Sequence, residues 1–317
     1  MKFLEPMIIA FSMYSKIPMP RIEWNKENMK YTMCFFPLIG VVTGAIIYLA
    51  GMFLDGNIFS KVHSGRLMFA AVMTLIPVFV SGGIHLDGFM DTMDALGSWG
   101  DKEKKLEILK DSHNGAFAVI GICCYFTGSL GVWSEIRTEM LPVVAAGYVI
   151  SRALSGLAVV TFPAARGNGL VKTFQDGAQK KAVRFTMIVY LILAAGYLYI
   201  CSPVGMVVLL IIAGAVFGYY YRMSRKQFGG VTGDLAGYFL QICEMALAAV
   251  NAGVYAMALW TFVDVPNPRD LQYRLNKWGL LRWDDTDYGA RDWLYAYGLL
   301  VRYFRKNSKP LTISSDC

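Results

Sequence analysis

MCFFPLIGVVTGAIIYLAGMFL, residues 33–54, runs for 22 residues without one charged side chain. Wound as a helix at 1.5 Å per residue it is about 33 Å long, which matches the ~30 Å hydrocarbon core of a bilayer. In hydrocarbon each backbone N–H and C=O needs an internal partner, so a run of this kind is a membrane-spanning helix. Working outward, comparable apolar runs cover 67–80, 116–133, 141–162, 185–200, 204–221 and 237–262. The second and fifth of these seven are short. Composition agrees: 56% of the 317 residues are hydrophobic and 17% are charged. A soluble domain is roughly 45–50% apolar. The sequence therefore predicts an all-α fold, a polytopic membrane bundle of about seven transmembrane helices. The N-terminus, MKFLEPMIIAFSMYSKIPMPRIEW, is interrupted by Pro6 and shows no small-residue cleavage site, so no cleaved signal peptide is expected.

Orientation follows from the basic residues. Lys2, Lys16, Arg21, Lys26 and Lys30 precede the first span, and Lys102, Lys104, Lys105 and Lys110 follow the second. Arg166, Lys172, Lys180, Lys181 and Arg184 follow the fourth, and Arg222, Arg225 and Lys226 follow the sixth. Alternate crossings put all four groups on one side, the cytoplasmic side by the positive-inside rule. The expected location is the cell inner (cytoplasmic) membrane, multi-pass, with catalytic loops on the cytoplasmic side. The net charge of +7 is then chiefly a topology signal. Nucleic acid is excluded as a partner, because no soluble module interleaves basic residues with exposed aromatics. The six cysteines show no paired spacing of a metal or redox site and read as small buried hydrophobes.

Against this apolar background, SGGIHLDGFMDTMDALGSWGD (81–101) carries Asp87, Asp91 and Asp94. On a helix these positions, i, i+4 and i+7, share one face about 60° wide. Three carboxylates so close repel one another and are costly near bilayer depth unless a cation joins them. Hard oxygen donors without cysteine favour Mg²⁺ or Mn²⁺ over zinc, and Mg²⁺ typically shares its shell with substrate phosphates. The plainer alternative is a solvated helix start whose acids complement the macrodipole. Gly82, Gly83 and Gly88 would let a ligand approach the backbone. His85 is either a base or a hydrogen-bonded core histidine.

A second constellation is FGGVTGDLAGYFLQICEMALAAV, in which Asp234 opens the last span behind Gly229, Gly230 and Gly233, a glycine-rich nest suited to phosphate. Glu244 lies about 15 Å deeper along the same helix, either functional or paired with a neighbouring helix. Two loops complete a rim. ILKDSHNGAF brings Lys110, Asp111, Ser112, His113 and Asn114 to the mouth of the third span, and SRALSGLAVVTFPAARGNGLVKTF carries Arg152 inside the fourth span and Arg166 just beyond it. Arginine suits bidentate phosphate binding, and Arg152, half-way along an apolar run, must find a carboxylate or a phosphate.

GGIHLDGFMDTMDALG, LKDSHNGAFAVIG, SRALSGLAVV with ARGNG, and GGVTGDLAGYFLQICE resemble, in order and spacing, the segments of the cobalamin synthase family, the membrane-bound adenosylcobinamide-GDP ribazoletransferases. FSMYSKIPMP is similar to that family's opening. The resemblance covers about residues 1–262, the expected catalytic domain, and leaves 263–317 as a polar and aromatic extension of unknown role. It implies transfer of the adenosylcobinamide-phosphate group of adenosylcobinamide-GDP to α-ribazole or α-ribazole 5′-phosphate, with GMP released, late in adenosylcobalamin (vitamin B12) biosynthesis. Mg²⁺ is the implied cofactor, with Asp87, Asp91, Asp94 and Asp234 as metal ligands. Asp87, Asp91, Asp94 and His85 are expected to be catalytic. Lys110, Asp111, Ser112, Arg152, Arg166, Gly229 and Gly230 are expected to bind substrate. The lipid bilayer is a further partner, and a homo-oligomer or association with other cobalamin-pathway enzymes is left open. CDP-alcohol phosphotransferases show a looser likeness, but the alanine-arginine pair that follows their Asp-Gly is absent from DGFMDTMD. A divalent-cation transporter would place acids at the midplane of several spans, whereas here they cluster at one rim.

Overall fold

The computed structural model describes residues 4–57, 65–167 and 169–253. The last predicted span was read to 262 and the C-terminal extension from 263; the part of that span beyond 253, and the whole extension, lie outside the described residues. Twelve α-helices are found among the described residues: α1 (Glu5–Tyr14), α2 (Lys26–Met29), α3 (Phe36–Asn57), α4 (Gly65–Ser81), α5 (Ile84–Gly97), α6 (Lys102–Ile108), α7 (Ala116–Glu135), α8 (Leu141–Thr161), α9 (Leu170–Gly177), α10 (Lys180–Cys201), α11 (Pro203–Phe228) and α12 (Gly233–Asn251). Among the described residues there is no β-sheet, only an isolated parallel bridge between Ala164 and Val231.

Six helical segments, 27–55, 116–135, 138–161, 180–201, 203–228 and 233–251, are long and apolar enough to cross a membrane. The remaining predicted span, the second (67–80), is α4, which passes that test only together with α5, from which it is bent by 97°. Two consecutive left-handed glycines, Gly82 (φ +67°) and Gly83 (φ +80°), make the bend. A residue with a Cβ enters that region at a cost, so these glycines shape the chain where the sequence suggested contact with a ligand. The outward faces of α10 and α11 stay apolar, with Phe185, Ile192, Leu193, Val204 and Ile211 exposed. Such a belt suits lipid and would be an aggregation site in water.

The interior helix is α8, which packs against α3, α10 and α12. Its buried small residues, Ala146, Gly147, Ser151, Ala153, Ser155 and Gly156, let neighbours come close. Hydrogen bonds sort the loops into two ends. At one end Arg66 donates to the carbonyls of Ser134 and Ile136, Thr138 donates to Asp55, and Asn251 donates to Met140. At the other, Lys16 is bonded to Val80, Gln179 to Lys30, Ala165 to Val231, Lys105 to Gln227 and Arg166 to Leu106. The basic segments predicted to share one side do meet at one end of the bundle.

Candidate active site

The site is built where α5 crosses α12. A Cβ on Gly88 would stand 2.7 Å from the carbonyl oxygen of Asp234, and one on Gly237 would stand 2.9 Å from that of His85. These glycines bring the two backbones into direct contact. Asp87, at the start of α5, and Asp234, in the first turn of α12, thereby lie close enough to act on one another electrostatically. Asp91, one turn along α5, feels the charges of Asp87, Asp234 and Asp94. Thr232 fixes the start of α12 by accepting a hydrogen bond from the backbone N–H of Leu235 at 3.2 Å, which leaves the first-turn carboxylate of Asp234 at the rim.

A cavity of about 340 Å³ opens here. Its charged lining is Asp87 and Asp234, Arg166 from the segment after α8, and Lys172 on α9. Arg166 acts electrostatically on Asp234 and donates to the Leu106 carbonyl, while its Nε is buried without a hydrogen-bond partner. Lys172 is bonded to Asp176 one turn along α9, at 2.5 Å. The lining becomes apolar towards Met33, Phe36, Val159 and Leu240, all buried, with His85 and Ser155 among them. His85 lies nearly parallel to Tyr14, ring centroids 6.2 Å apart, and edge-on to Phe36.

The remaining predicted residues go elsewhere. Both carboxylate oxygens of Asp94 are bonded to the start of α7, accepting from the backbone N–H groups of Gly115 and Ala118. Arg152, expected to bind substrate, is 1% exposed and donates to Glu244 at 2.6 Å, with Ser151 donating to the same oxygen at 3.0 Å. Of the two partners open to it, it takes the carboxylate. Lys110, Asp111 and Ser112 lie on an exposed loop and do not line the cavity. The hydrogen bond from His113 holds the Asp111 carboxyl below the usual carboxylate range. Gly229 is the left-handed cap of α11, and Gly230 is pressed against the backbone of 163–165, where a Cβ would stand 2.4 Å from the Pro163 carbonyl oxygen. Both shape the turn. Lys172 and Tyr14 also line the cavity, and neither stands out as a site residue in the sequence: Lys172 reads there as one of the orienting charges, and only the Val171–Phe174 spacing points to a short amphipathic helix that could carry it.

The profile of the cobalamin-5-phosphate synthase family matches residues 6–252. The chain belongs to that family. Its relatives include the adenosylcobinamide-GDP ribazoletransferase of Lachnoclostridium phytofermentans, 45% identical over 265 residues that make up 82% of this chain and 100% of that protein. Enzymes of the same name from Clostridium perfringens strain 13 and Clostridium botulinum strain Alaska E43 are 31% and 30% identical; the alignments cover 76% and 80% of this chain and 95% and 97% of theirs. No solved structure matches the chain. In this cobalamin-5-phosphate synthase family member the match ends at 252, next to the last described residue of the bundle. The donor chemistry at the α5–α12 crossing suits a divalent ion, since Asp91 feels the charges of Asp87 and Asp234 and all three offer hard oxygens, although only Asp87 and Asp234 line the cavity. Among the described residues, however, no three His, Cys, Asp or Glu side chains already stand together in a metal-holding group.

Proposed function

We propose that this protein is an adenosylcobinamide-GDP ribazoletransferase that works with Mg²⁺ at one face of the cell inner membrane. What carries the reading is the meeting of Asp87, Asp234, Arg166 and Lys172 on a single cavity, in a chain that aligns with the whole length of a relative of that name. A ribose hydroxyl of α-ribazole, or of its 5′-phosphate, forms a bond to the phosphorus that bears adenosylcobinamide. The bridging P–O bond to GMP breaks, and the hydroxyl proton passes to the carboxylate wall. Phosphoryl transfer asks little covalent work of the protein and much positioning.

Asp87, Asp91 and Asp234 would hold the metal. When bound, Mg²⁺ supplies charge neutralisation to the pyrophosphate. Arg166 and Lys172 are the cations of the same cavity; they take phosphate oxygens and align the diphosphate with the incoming hydroxyl. Asp94 contributes by fixing α7 against α5, which sets the direction of the acidic helix. The corrin ring is too bulky for a cavity at the low end of the ~300–1,000 Å³ range of ligand pockets, so it stays outside the rim.

The test supplies the purified protein in vesicles with adenosylcobinamide-GDP, α-ribazole and Mg²⁺. GMP and the ribazole-linked cobamide are expected in equal amounts, lost on chelation and restored by Mg²⁺ or Mn²⁺ but not by zinc. No GMP release under these conditions would overturn the assignment, and rescue by zinc alone would overturn the hard-oxygen metal site.

A further inference from the structure

The charged residues of the cavity account for phosphates and leave its buried end unexplained. Phe36 is 2% exposed, Leu240 1%, Ser155 1% and His85 5%. All four line the cavity, and the Nε2 atom of His85 is buried with no hydrogen-bond partner. An imidazole nitrogen taken out of water without a partner is costly, and proteins rarely leave one so unless a ligand completes it. Tyr14 and Phe36 flank the same ring, giving an aromatic wall suited to a flat π-system.

We propose that this end of the cavity seats the heteroaromatic base of the acceptor, with His85 Nε2–H donating to the ring nitrogen that the glycosidic bond leaves free. The inference rests on the ribazoletransferase reading and deepens it by giving His85 the task of choosing the base. An N-linked benzimidazole has a wide apolar body and a single free sp² nitrogen, which corresponds to a lining of apolar side chains with one unsatisfied polar atom. Guanine, the base of the other substrate, presents donors and acceptors along several edges. Apart from His85, the lining side chains near this end offer the hydroxyls of Ser155, of half-buried Tyr14 and of Thr232, the last already bonded to Leu235 and Asp234, so most of guanine's polar groups would lose water without replacement. The geometry also gives an order to the cavity. Asp87 lines the same cavity, so an acceptor whose base lies against His85 has its ribose within the space that the carboxylate borders, where the hydroxyl is needed.

The test uses α-ribazole and the matched riboside in which CH replaces the free ring nitrogen, each as acceptor for the full-length protein in vesicles. For the wild type, KM of the CH analogue is expected to be about ten-fold above that of α-ribazole, the loss of one buried hydrogen bond. His85→Phe should raise KM for α-ribazole to the analogue's level and abolish the discrimination, with KM for adenosylcobinamide-GDP changed by less than about two-fold. His85→Gln, which places an amide N–H near the Nε2 position, should recover part of it. Equal KM for the two ribosides in the wild type overturns the inference even if the His85 variants fail to fold. So does a His85→Phe effect confined to adenosylcobinamide-GDP, which would give the pocket to guanine. Turnover of both ribosides without preference leaves the transferase reading standing, whereas turnover of neither sinks both.

Discussion

The backbone of Asp234 crosses Gly88 so closely that a methyl group on Gly88 would stand 2.7 Å from the Asp234 carbonyl oxygen and 2.8 Å from its Cα. Rigid backbone is on both sides of this contact, so Gly88→Ala forces α5 and α12 apart. The expected cost is about 1–3 kcal/mol of stability. Because the carboxylates of Asp87 and Asp234 depend on this crossing, turnover should fall at least ~10-fold as their spacing grows. Gly218→Ala, where nothing lies within 4 Å of the added carbon, is the control and should change neither quantity. Wild-type turnover in Gly88→Ala would show that the crossing does not set the site.

Arg152 and Glu244 form an ion pair in the bundle interior, their side chains 2% and 7% exposed. Removing one partner strands a charge in a poorly solvated place, so Arg152→Met and Glu244→Leu are each expected to cost about 3–5 kcal/mol. The double variant has no stranded charge and should unfold at a higher temperature than either single one. Its KM for both substrates should stay near the wild-type value, since the pair joins α8 to α12 and neither residue lines the cavity. A many-fold rise in KM in a well-folded double variant would return Arg152 to the substrate site.

The spans were legible because lipid imposes a single local rule, an uninterrupted apolar run about 20 residues long. The shared face of Asp87 and Asp91 was legible for a similar reason, since a helix fixes it without knowledge of neighbours. What escaped depends on which helix lies beside which. Nothing near Asp94 in the sequence announces that its oxygens cap α7, 21 residues away, and Arg152 could be given a carboxylate or a phosphate until α12 was seen to bring Glu244 alongside. Gly229 and Gly230 fit a phosphate nest by sequence and a helix cap with a tight packing contact by structure. Glycine permits both, so only the neighbours decide between them.

Asp87 and Asp234 should therefore respond differently from Asp94 to the same change. Asp87→Asn and Asp234→Asn remove charge from the cavity while keeping shape, and turnover should drop at least ~100-fold with little change in unfolding temperature. Asp94→Asn weakens a charge-assisted cap on α7 and should cost about 1–2 kcal/mol of stability, visible as earlier thermal unfolding. If Asp94→Asn kept full stability and lost activity as Asp87→Asn does, the carboxylate would be reaching the reacting phosphates instead.

Single cysteines at Lys104, Lys180 and Arg225, introduced into a variant without other cysteines, test the common end of the bundle. Segments beside the three positions are tied in pairs, α6 to α11 through Lys105 and Gln227, and the α9–α10 junction to the N-terminal region through Gln179 and Lys30. A membrane-impermeant thiol reagent should label all three in inverted vesicles and none in intact cells. Labelling of one from the opposite side would break the arrangement in which these loops surround one substrate.

Residues beyond the bundle supply the last test. The family profile ends at 252, and the Lachnoclostridium phytofermentans relative is matched over its whole length within 265 residues of this chain. Every residue placed on the cavity lies upstream, the last being Leu240. Deleting 264–317 should leave kcat/KM for ribazole transfer within a few-fold of the full chain. The removed stretch contains Trp278, Trp283 and Trp293 with nine lysines and arginines, a mixture that favours a membrane surface, so the yield of membrane-inserted protein is expected to fall even where activity per molecule does not. Activity therefore has to be normalised to inserted protein. A truncated chain that inserts normally and transfers nothing would place part of the tail in the site and make the α5–α12 cavity only a fraction of it.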